Sequence, residues 1–161
     1  MAIITLNNNS LSSVTSLPAG VGGKVLQVVS TAKTDNFSTT ATSDTAVTGL
    51  SLSITPSSSS NKIFVIFTGI TACQNTGNYF GAVSIYRGST RIVGGQAGNT
   101  AADSGHTLSS LSILDTPSTT SATTYDVRIK SEGNSSVVYV NQPSGVVIDE
   151  KAVITAYEIA G

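Results

Sequence analysis

The sequence predicts an all-β protein, an antiparallel β-sandwich of jelly-roll type with an N-terminal extended arm. Apolar and polar residues alternate along several segments, which is the period of a strand with one buried face. Clusters of Gly, Pro, Asn, Asp and Ser separate these segments, and about nine strands result. The pattern contains no crossover helices, so we expect the strands to pair antiparallel.

The clearest pair of strands lies in residues 48–73. In residues 50–55 every second side chain is apolar, so we expect one face of that strand to be buried. Pro56 and the serines after it end the strand, because proline lacks the amide hydrogen that a ladder needs. The next strand, residues 62–67, is apolar on both faces and must lie against protein on both sides.

The other strands follow from the same rules, and the strand at 125–130 is predicted to have one wet face. The segments between strands, above all residues 35–36 and 95–106, are predicted loops. The predicted strands, besides residues 62–73, are residues 24–32, 45–55, 79–87, 91–94, 108–114, 125–130, 136–140 and 151–160.

Three strand segments, residues 63–67, 137–140 and 152–159, are apolar on both faces. One thin sandwich hides two such strands, so the surplus indicates a subunit interface in addition to a core. Strand register decides which face would meet a partner, and the sequence does not specify the register. The sequence also leaves open whether the assembly is a trimer or an isologous dimer. The candidate interface residues are Ile63, Val65, Phe67, Val138, Val140, Ile154 and Tyr157.

Residues 1–23 differ from the rest and are predicted to form an anchoring arm, with the sandwich in residues 24–161. The apolar residues of this tail precede a hinge that contains Pro18 and Gly20. Exposed apolar surface is costly in water, which favours docking on another protein, and a loose tail is the alternative. The candidate docking residues are Ile3, Ile4, Leu6, Leu11, Val14 and Leu17.

The composition argues against several classes of function. Charged residues make up only 11% of the chain, and the net charge is −1. Lys and Arg are scattered without forming a basic stripe, so we expect no nucleic-acid partner. The sequence has neither a signal peptide nor an apolar run long enough to span a bilayer, so we expect folding in a cytoplasm and no membrane insertion. A single cysteine excludes an intrachain disulfide, and oligomerisation is the obvious substitute.

No residue pattern predicts an active site, a cofactor or a metal. His106 has Asp103 nearby in sequence, but a triad also needs a positioned nucleophile, so a polar loop contact is expected. Cys73 ends an apolar strand and is expected to be a small buried hydrophobe. Asp149 and Glu150 form the densest acidic spot but lack a calcium-loop pattern, so a surface charge pair is expected. Paired carboxylates of a glycosidase stay open, because they meet only in the fold.

Several stretches resemble virion proteins of tailed bacteriophages, especially those of aquatic and cyanobacterial hosts. They are GGKVLQVV at residues 22–29, TGLSLSITPSSSSNKI at 48–63, IYRGSTRI at 85–92 and AVITAYEIA at 152–160. The resemblance covers most of residues 22–160. Such proteins are tail-fibre, neck-fibre or capsid-decoration components, and their domains are similar to trimeric jelly-roll heads of the complement C1q and tumour-necrosis-factor type.

The resemblance implies a homotrimer in the virion, assembled in the host cytoplasm, with the arm toward a capsid, neck or tail protein. The repetitive shaft of a long fibre is absent before the sandwich, which favours a capsid decoration (cement) protein or a short fibre. The alternative is a receptor-binding module that recognises a host surface glycan. In that case the loop at 95–107, with Tyr79 and Tyr86 nearby in sequence, would form the binding rim, unless it is simply a solvated loop.

Overall fold

The computed structural model describes residues 24–75, 80–97, 100–101, 106–133, 136–141 and 151–161. Within these ranges the regular structure consists of strands, and no helix is long and apolar enough to cross a membrane. The predicted arm, residues 1–23, lies outside the described residues. The division of the chain at residue 23 therefore stays a prediction.

Eleven strands form within the described residues, which confirms the all-β prediction. In chain order they are β1 (Val25–Lys33), β2 (Phe37–Thr39), β3 (Thr45–Ile54), β4 (Lys62–Asn75), β5 (Gly81–Arg87), β6 (Thr90–Ala97), β7 (Thr100–Ala101), β8 (His106–Asp115), β9 (Thr123–Ser131), β10 (Val137–Val140) and β11 (Ala152–Ile159).

The strands build two sheets, which we call sheet I and sheet II. The long strand β4 is the centre of sheet I: β11 and then β10 pair along one of its edges, and β8 pairs along the other. Outside them, β1 pairs with β11 and β2 pairs with β10. Sheet II has the order β3-β9-β5-β6, and all of its pairs are antiparallel.

This strand order is that of a jelly roll. The long strands follow the order β1-β11-β4-β8 in sheet I and β3-β9-β5-β6 in sheet II. The chain crosses between the sheets at most connections, and the hairpin of β5 and β6 is an exception. Two interlocked Greek keys result, as in jelly-roll sandwiches. The predicted fold class is confirmed.

The core lies between the two sheets, and alternation along the strands fills it. Ile63, Val65 and Phe67 of β4 are all fully buried, while the residues between them are only half-buried. Tyr125, Val127 and Ile129 of β9 are likewise fully buried and face them from sheet II. The predicted wet face of β9 is confirmed for Arg128 and Lys130, whereas Asp126 is 8% exposed and therefore buried.

Two short strands were missed by the sequence patterns. The predicted loop at residues 35–36 is followed by β2, and part of the predicted loop at 95–106 is strand, because β6 continues to Ala97 and β7 follows. The pairing of β7 with β4 is parallel over two residue pairs, so the expectation of purely antiparallel pairing is wrong at this point. Strands this short carry too few residues to display a period of two.

The predicted turn between β5 and β6 is confirmed. Gly88 and Ser89 connect the strands, and Gly88 has a φ of 58°. Glycine adopts this left-handed conformation without the steric cost that a side chain would bring.

Candidate functional site

The three strand segments that are apolar on both faces all lie in sheet I, in β4, β10 and β11. One face of each packs into the core. Six of the seven candidate interface residues are 0% exposed there, so their side chains are occupied within one chain: Ile63, Val65, Phe67, Val138, Val140 and Ile154. The seventh, Tyr157, lies half-buried on the outer face of the sheet.

The outer face of sheet I carries an apolar row that crosses the width of the sheet. Val28 of β1 pairs with Tyr157 of β11, which pairs with Phe64 of β4. Phe64 in turn pairs with Leu114 of β8. The rings of Phe64 and Tyr157 are 6.3 Å apart between centroids, which is the distance of an attractive tilted pair. We call Val28, Tyr157, Phe64 and Leu114 the cross-sheet row.

The same face concentrates the exposed apolar surface of the molecule. Of the six large hydrophobic residues that are exposed in the described chain, five belong to β1 and β8 of sheet I. Leu108 is 68% exposed, Val28 is 53% and Leu114 is 49%. Register places no acidic residue among the described outward positions of β1, β11, β4 and β8. Ser110 and Ser112 lie between Leu108 and Leu114, so hydroxyl groups interrupt the apolar surface. Several large apolar side chains exposed on one face are typical of an interaction site.

The outer face of sheet II is charged instead. Asp126 and Arg128 form an ion pair of 2.7 Å, and the Arg128 guanidinium lies 3.9 Å from the centre of the Tyr86 ring. The Tyr86 hydroxyl donates a hydrogen bond of 2.7 Å to Asp44, which raises the pKa of Tyr86. These charges are paired with one another within the chain, and among its described residues this face lacks the exposed large apolar side chains of sheet I.

A surface groove of about 350 Å³ opens at the edge of sheet II, where β5, β6 and the end of β9 come together. Phe80, Arg91, Gln96 and Glu132 contribute side chains to its walls. The backbone amide of Glu132 donates to the carbonyl of Phe80 at 2.9 Å, which ties the two walls together. We call this the Phe80–Arg91 groove.

Glu158 of β11 forms a buried polar clamp at one end of the sandwich. It is 1% exposed, and its Oε1 accepts hydrogen bonds from the amide and hydroxyl of Ser57 at 2.6 and 2.7 Å. Asn61 donates to the same oxygen at 2.6 Å, and Gln27 donates to Oε2 at 2.7 Å. Burial opposes the charged form, but these donors outweigh it and hold the pKa of Glu158 at about 2.

The clamp explains the serine-rich segment between β3 and β4. Ser57 and Asn61 both bind Glu158, and the Asn61 side chain also accepts from the amide of Gly161 at 3.1 Å. The segment and the end of the chain are thereby fastened to sheet I. Glu158 is not among the predicted site residues, although its position offered a signal. Counting by two from Ala152 places it on the same face as Ile154, where a buried carboxylate needs dedicated donors.

A second carboxylate, which is partly buried, links the two sheets at the same end. Asp115 of β8 accepts from Arg87 at 2.8 Å and from the Tyr125 hydroxyl at 2.6 Å, and both of these residues belong to sheet II. Desolvation and the Asp115 carboxylate raise the pKa of Tyr125 far above its usual range. Register places Asp115 and Glu158 on either side of Ile63. The donors that hold each carboxylate are structural contacts within the chain, not a shared cleft.

The remaining chemical candidates are placed as follows. The backbone of His106 pairs with Ala72 in sheet I, and Cys73 is fully buried in the core, as predicted. Asp103, Asp149, Glu150 and Tyr79 lie outside the described residues. No group of His, Cys, Asp and Glu in the described part of the chain is arranged to hold a metal ion.

No family model and no curated protein match the chain. Among solved structures, it is similar to T=1 particles derived from infectious bursal virus, with 16% identity and a TM-score of 0.38 over 84% of this chain and 36% of that chain. It is also similar to the Gt strain of infectious bursal disease virus, with 15% identity and a TM-score of 0.39 over 84% of this chain and 38% of that chain. A VP2 subviral particle of that virus matches with 14% identity and a TM-score of 0.36, over 83% of this chain and 41% of that chain.

The chain spans about two fifths of the length of these solved structures. Their TM-scores lie between 0.36 and 0.39, which is too low for the likeness to carry an argument about function.

Proposed function

We propose that the protein is a structural component of a bacteriophage virion. It assembles as a homotrimer and acts as a capsid decoration (cement) protein or a short fibre that docks through its N-terminal arm. The observation that carries the assembly part is the contrast between the apolar outer face of sheet I and the charged outer face of sheet II. The virion assignment rests on the resemblance of residues 22–160 to phage virion proteins.

The cross-sheet row is the proposed centre of the subunit interface. Interface centres are depleted in charge and enriched in aromatic residues, as this row is. Complete burial of a leucine, valine or phenylalanine side chain stabilises an association by roughly 1.5–3 kcal/mol. Tyr157 keeps its predicted role, whereas Val28, Phe64 and Leu114 take the place of the candidates that the core occupies.

The solution mass tests the trimer directly. One chain has a mass of 16.4 kDa, so light scattering on a sizing column should give about 49 kDa, stable on dilution. Leu114→Lys should produce a folded monomer, because the position is 49% exposed in one chain but would be buried in the trimer. Thr124→Lys, on the exposed outer face of sheet II, is the matched control and should stay trimeric. A monomeric wild type, or a Leu114→Lys variant of unchanged mass, would refute this interface.

Docking through the arm needs a separate experiment. Removal of residues 2–20 should leave a folded trimer that no longer binds phage particles lacking the protein, because the six apolar arm residues are lost. Co-sedimentation with those particles measures the binding. If the shortened protein still decorated the particles, the arm would not be the anchor.

A second candidate function is the recognition of a host surface glycan. The Phe80–Arg91 groove favours it, because Gly95 and Gln96 of the predicted binding loop line a concave site beside an exposed aromatic ring. Pockets that combine apolar walls with a few polar groups are the usual ligand sites of rigid sandwiches. An array of host polysaccharides tests it, and an array without a single bound glycan would remove this candidate.

A further inference from the structure

We propose that the Phe80–Arg91 groove binds a carboxylated sugar ring, with Arg91 holding the carboxylate and Phe80 contacting the apolar face of the ring. This inference rests on the second candidate function and makes no use of the subunit interface. It names the class of ligand and the residues that would distinguish it from neutral sugars.

The Arg91 guanidinium lies against the backbone of Gly94, beside the groove. A Cβ built on Gly94 would lie 2.6 Å from Nε and 2.7 Å from Cζ of Arg91, so only a glycine leaves the guanidinium in this position. Arg91 is also one of the residues that line the groove. The absence of a side chain at Gly94 therefore allows a cation to lie in the wall of the groove.

The charges around the groove favour an anionic ligand. Glu132 is already paired with Lys130 at 3.0 Å, so its carboxylate is compensated. Arg91 forms no ion pair with any of the described residues, and it is the remaining cation in the wall. A guanidinium matches the planar geometry of a carboxylate and binds it with two parallel hydrogen bonds.

The other walls fit a sugar ring better than a bare anion. Phe80 is 37% exposed and offers an apolar ring, and Gln96 offers an amide that can both donate and accept. Gly81, Ala82 and Gly95 have little or no side chain, which leaves room for a ring near the backbone. The volume of about 350 Å³ lies at the small end of ligand sites, so it suits a single sugar ring more than an extended chain.

Saturation-transfer NMR on the full-length protein tests the proposal, because it detects millimolar binding. The probes are methyl glycosides of glucuronic acid, galacturonic acid and N-acetylneuraminic acid, with methyl glucoside and methyl galactoside as neutral counterparts. We expect at least one acidic probe to bind about tenfold or more tightly than the neutral probes, the factor for one charge-assisted contact. Arg91→Gln should remove that preference, whereas Lys24→Gln, which removes an equal charge from an exposed position elsewhere, should keep it.

Gly94→Ala separates the position of Arg91 from its charge. The new methyl group meets the end of a flexible side chain, so the guanidinium must move while the fold remains. Gly94→Ala should therefore weaken acidic-sugar binding about as much as Arg91→Gln, with an unchanged circular dichroism spectrum. Equal binding of acidic and neutral probes, or binding that neither variant changes, would overturn this inference and leave glycan recognition standing. If no sugar probe and no glycan on the array bound the protein, both the acidic-sugar site and glycan recognition would be refuted.

Discussion

Replacement of Glu158 by glutamine tests whether the polar clamp stabilises the sandwich through its charge. The donors at Ser57, Asn61 and Gln27 hold the pKa of Glu158 at about 2, against an ordinary value of 4.5. At about 1.36 kcal/mol for each pH unit of pKa, this difference corresponds to roughly 3 kcal/mol of stability for the ionised form. The clamp lies at one end of the sandwich, where nearby solvent screens part of this interaction, so roughly 3 kcal/mol is an upper bound.

The pH dependence follows from the lowered pKa. The unfolded chain takes up the proton near pH 4.5, whereas the folded chain resists it until about pH 2. The stabilisation is therefore complete above pH 4.5 and is lost as the pH falls through this window toward 2. At pH 3 the linkage relation leaves roughly 1.4 kcal/mol, so the wild type should lose about 2 kcal/mol of this contribution between pH 7 and pH 3.

Urea unfolding followed by circular dichroism at pH 7 and pH 3 gives the measurement. Both are made at one protein concentration, because the proposed association would contribute to stability. We expect Glu158→Gln to lower the free energy of unfolding by about 2–3 kcal/mol at pH 7. Besides losing the charge, the glutamine brings an NH2 group, which cannot accept the hydrogen bonds that the neighbouring side chains donate. At pH 3 the difference in free energy of unfolding between this variant and the wild type should be smaller by about 2 kcal/mol than at pH 7. Glu132→Gln, at a carboxylate that is 44% exposed, is the control and should change little. An equal gap at both pH values would refute the charge argument.

Two further substitutions test the packing and the polar link between the sheets. Gly69→Ala should lower the free energy of unfolding by about 1–3 kcal/mol, because its Cβ would lie 2.7 Å from the Cβ of Ala152. The double variant Gly69→Ala, Ala152→Gly should recover part of this loss in the same urea assay. An absence of recovery would contradict the contact. Tyr125→Phe should cost about 1–2 kcal/mol, because Asp115 loses a hydrogen bond of 2.6 Å inside the sandwich. Tyr139→Phe, whose half-buried hydroxyl donates to Gln74 at 2.8 Å on sheet I, is its control and should cost less than Tyr125→Phe.

The proposed subunit interface and the proposed sugar site lie on different sheets. In the proposed trimer sheet I would present the cross-sheet row to a second copy of the chain, whereas sheet II presents the Phe80–Arg91 groove to solvent. The proposed trimer and the proposed sugar site therefore do not compete for surface. The Leu114→Lys and Arg91→Gln variants should each affect one property and leave the other unchanged.

The class of fold and the alternation of buried and exposed side chains in most strands can be predicted from the amino-acid sequence. A period of two is a local property: it follows from the pleat of one strand and needs no knowledge of its partners. For that reason the buried set Leu50, Leu52 and Ile54 and the turn at Gly88 could be predicted from neighbouring residues alone. The burial of Cys73 follows from the same pattern.

Which apolar face is core and which is outer surface depends on strand register, because register joins residues that lie far apart in the chain. Tyr157 meets Phe64 and Val28 through pairings that a short segment cannot encode. The Glu158 clamp draws its donors from Gln27 of β1 and from Ser57 and Asn61 of the segment between β3 and β4, so it exists only once those elements are assembled. The same holds for the Phe80–Arg91 groove, where a glycine on β6 positions an arginine of the same strand beside residues from β5 and the end of β9.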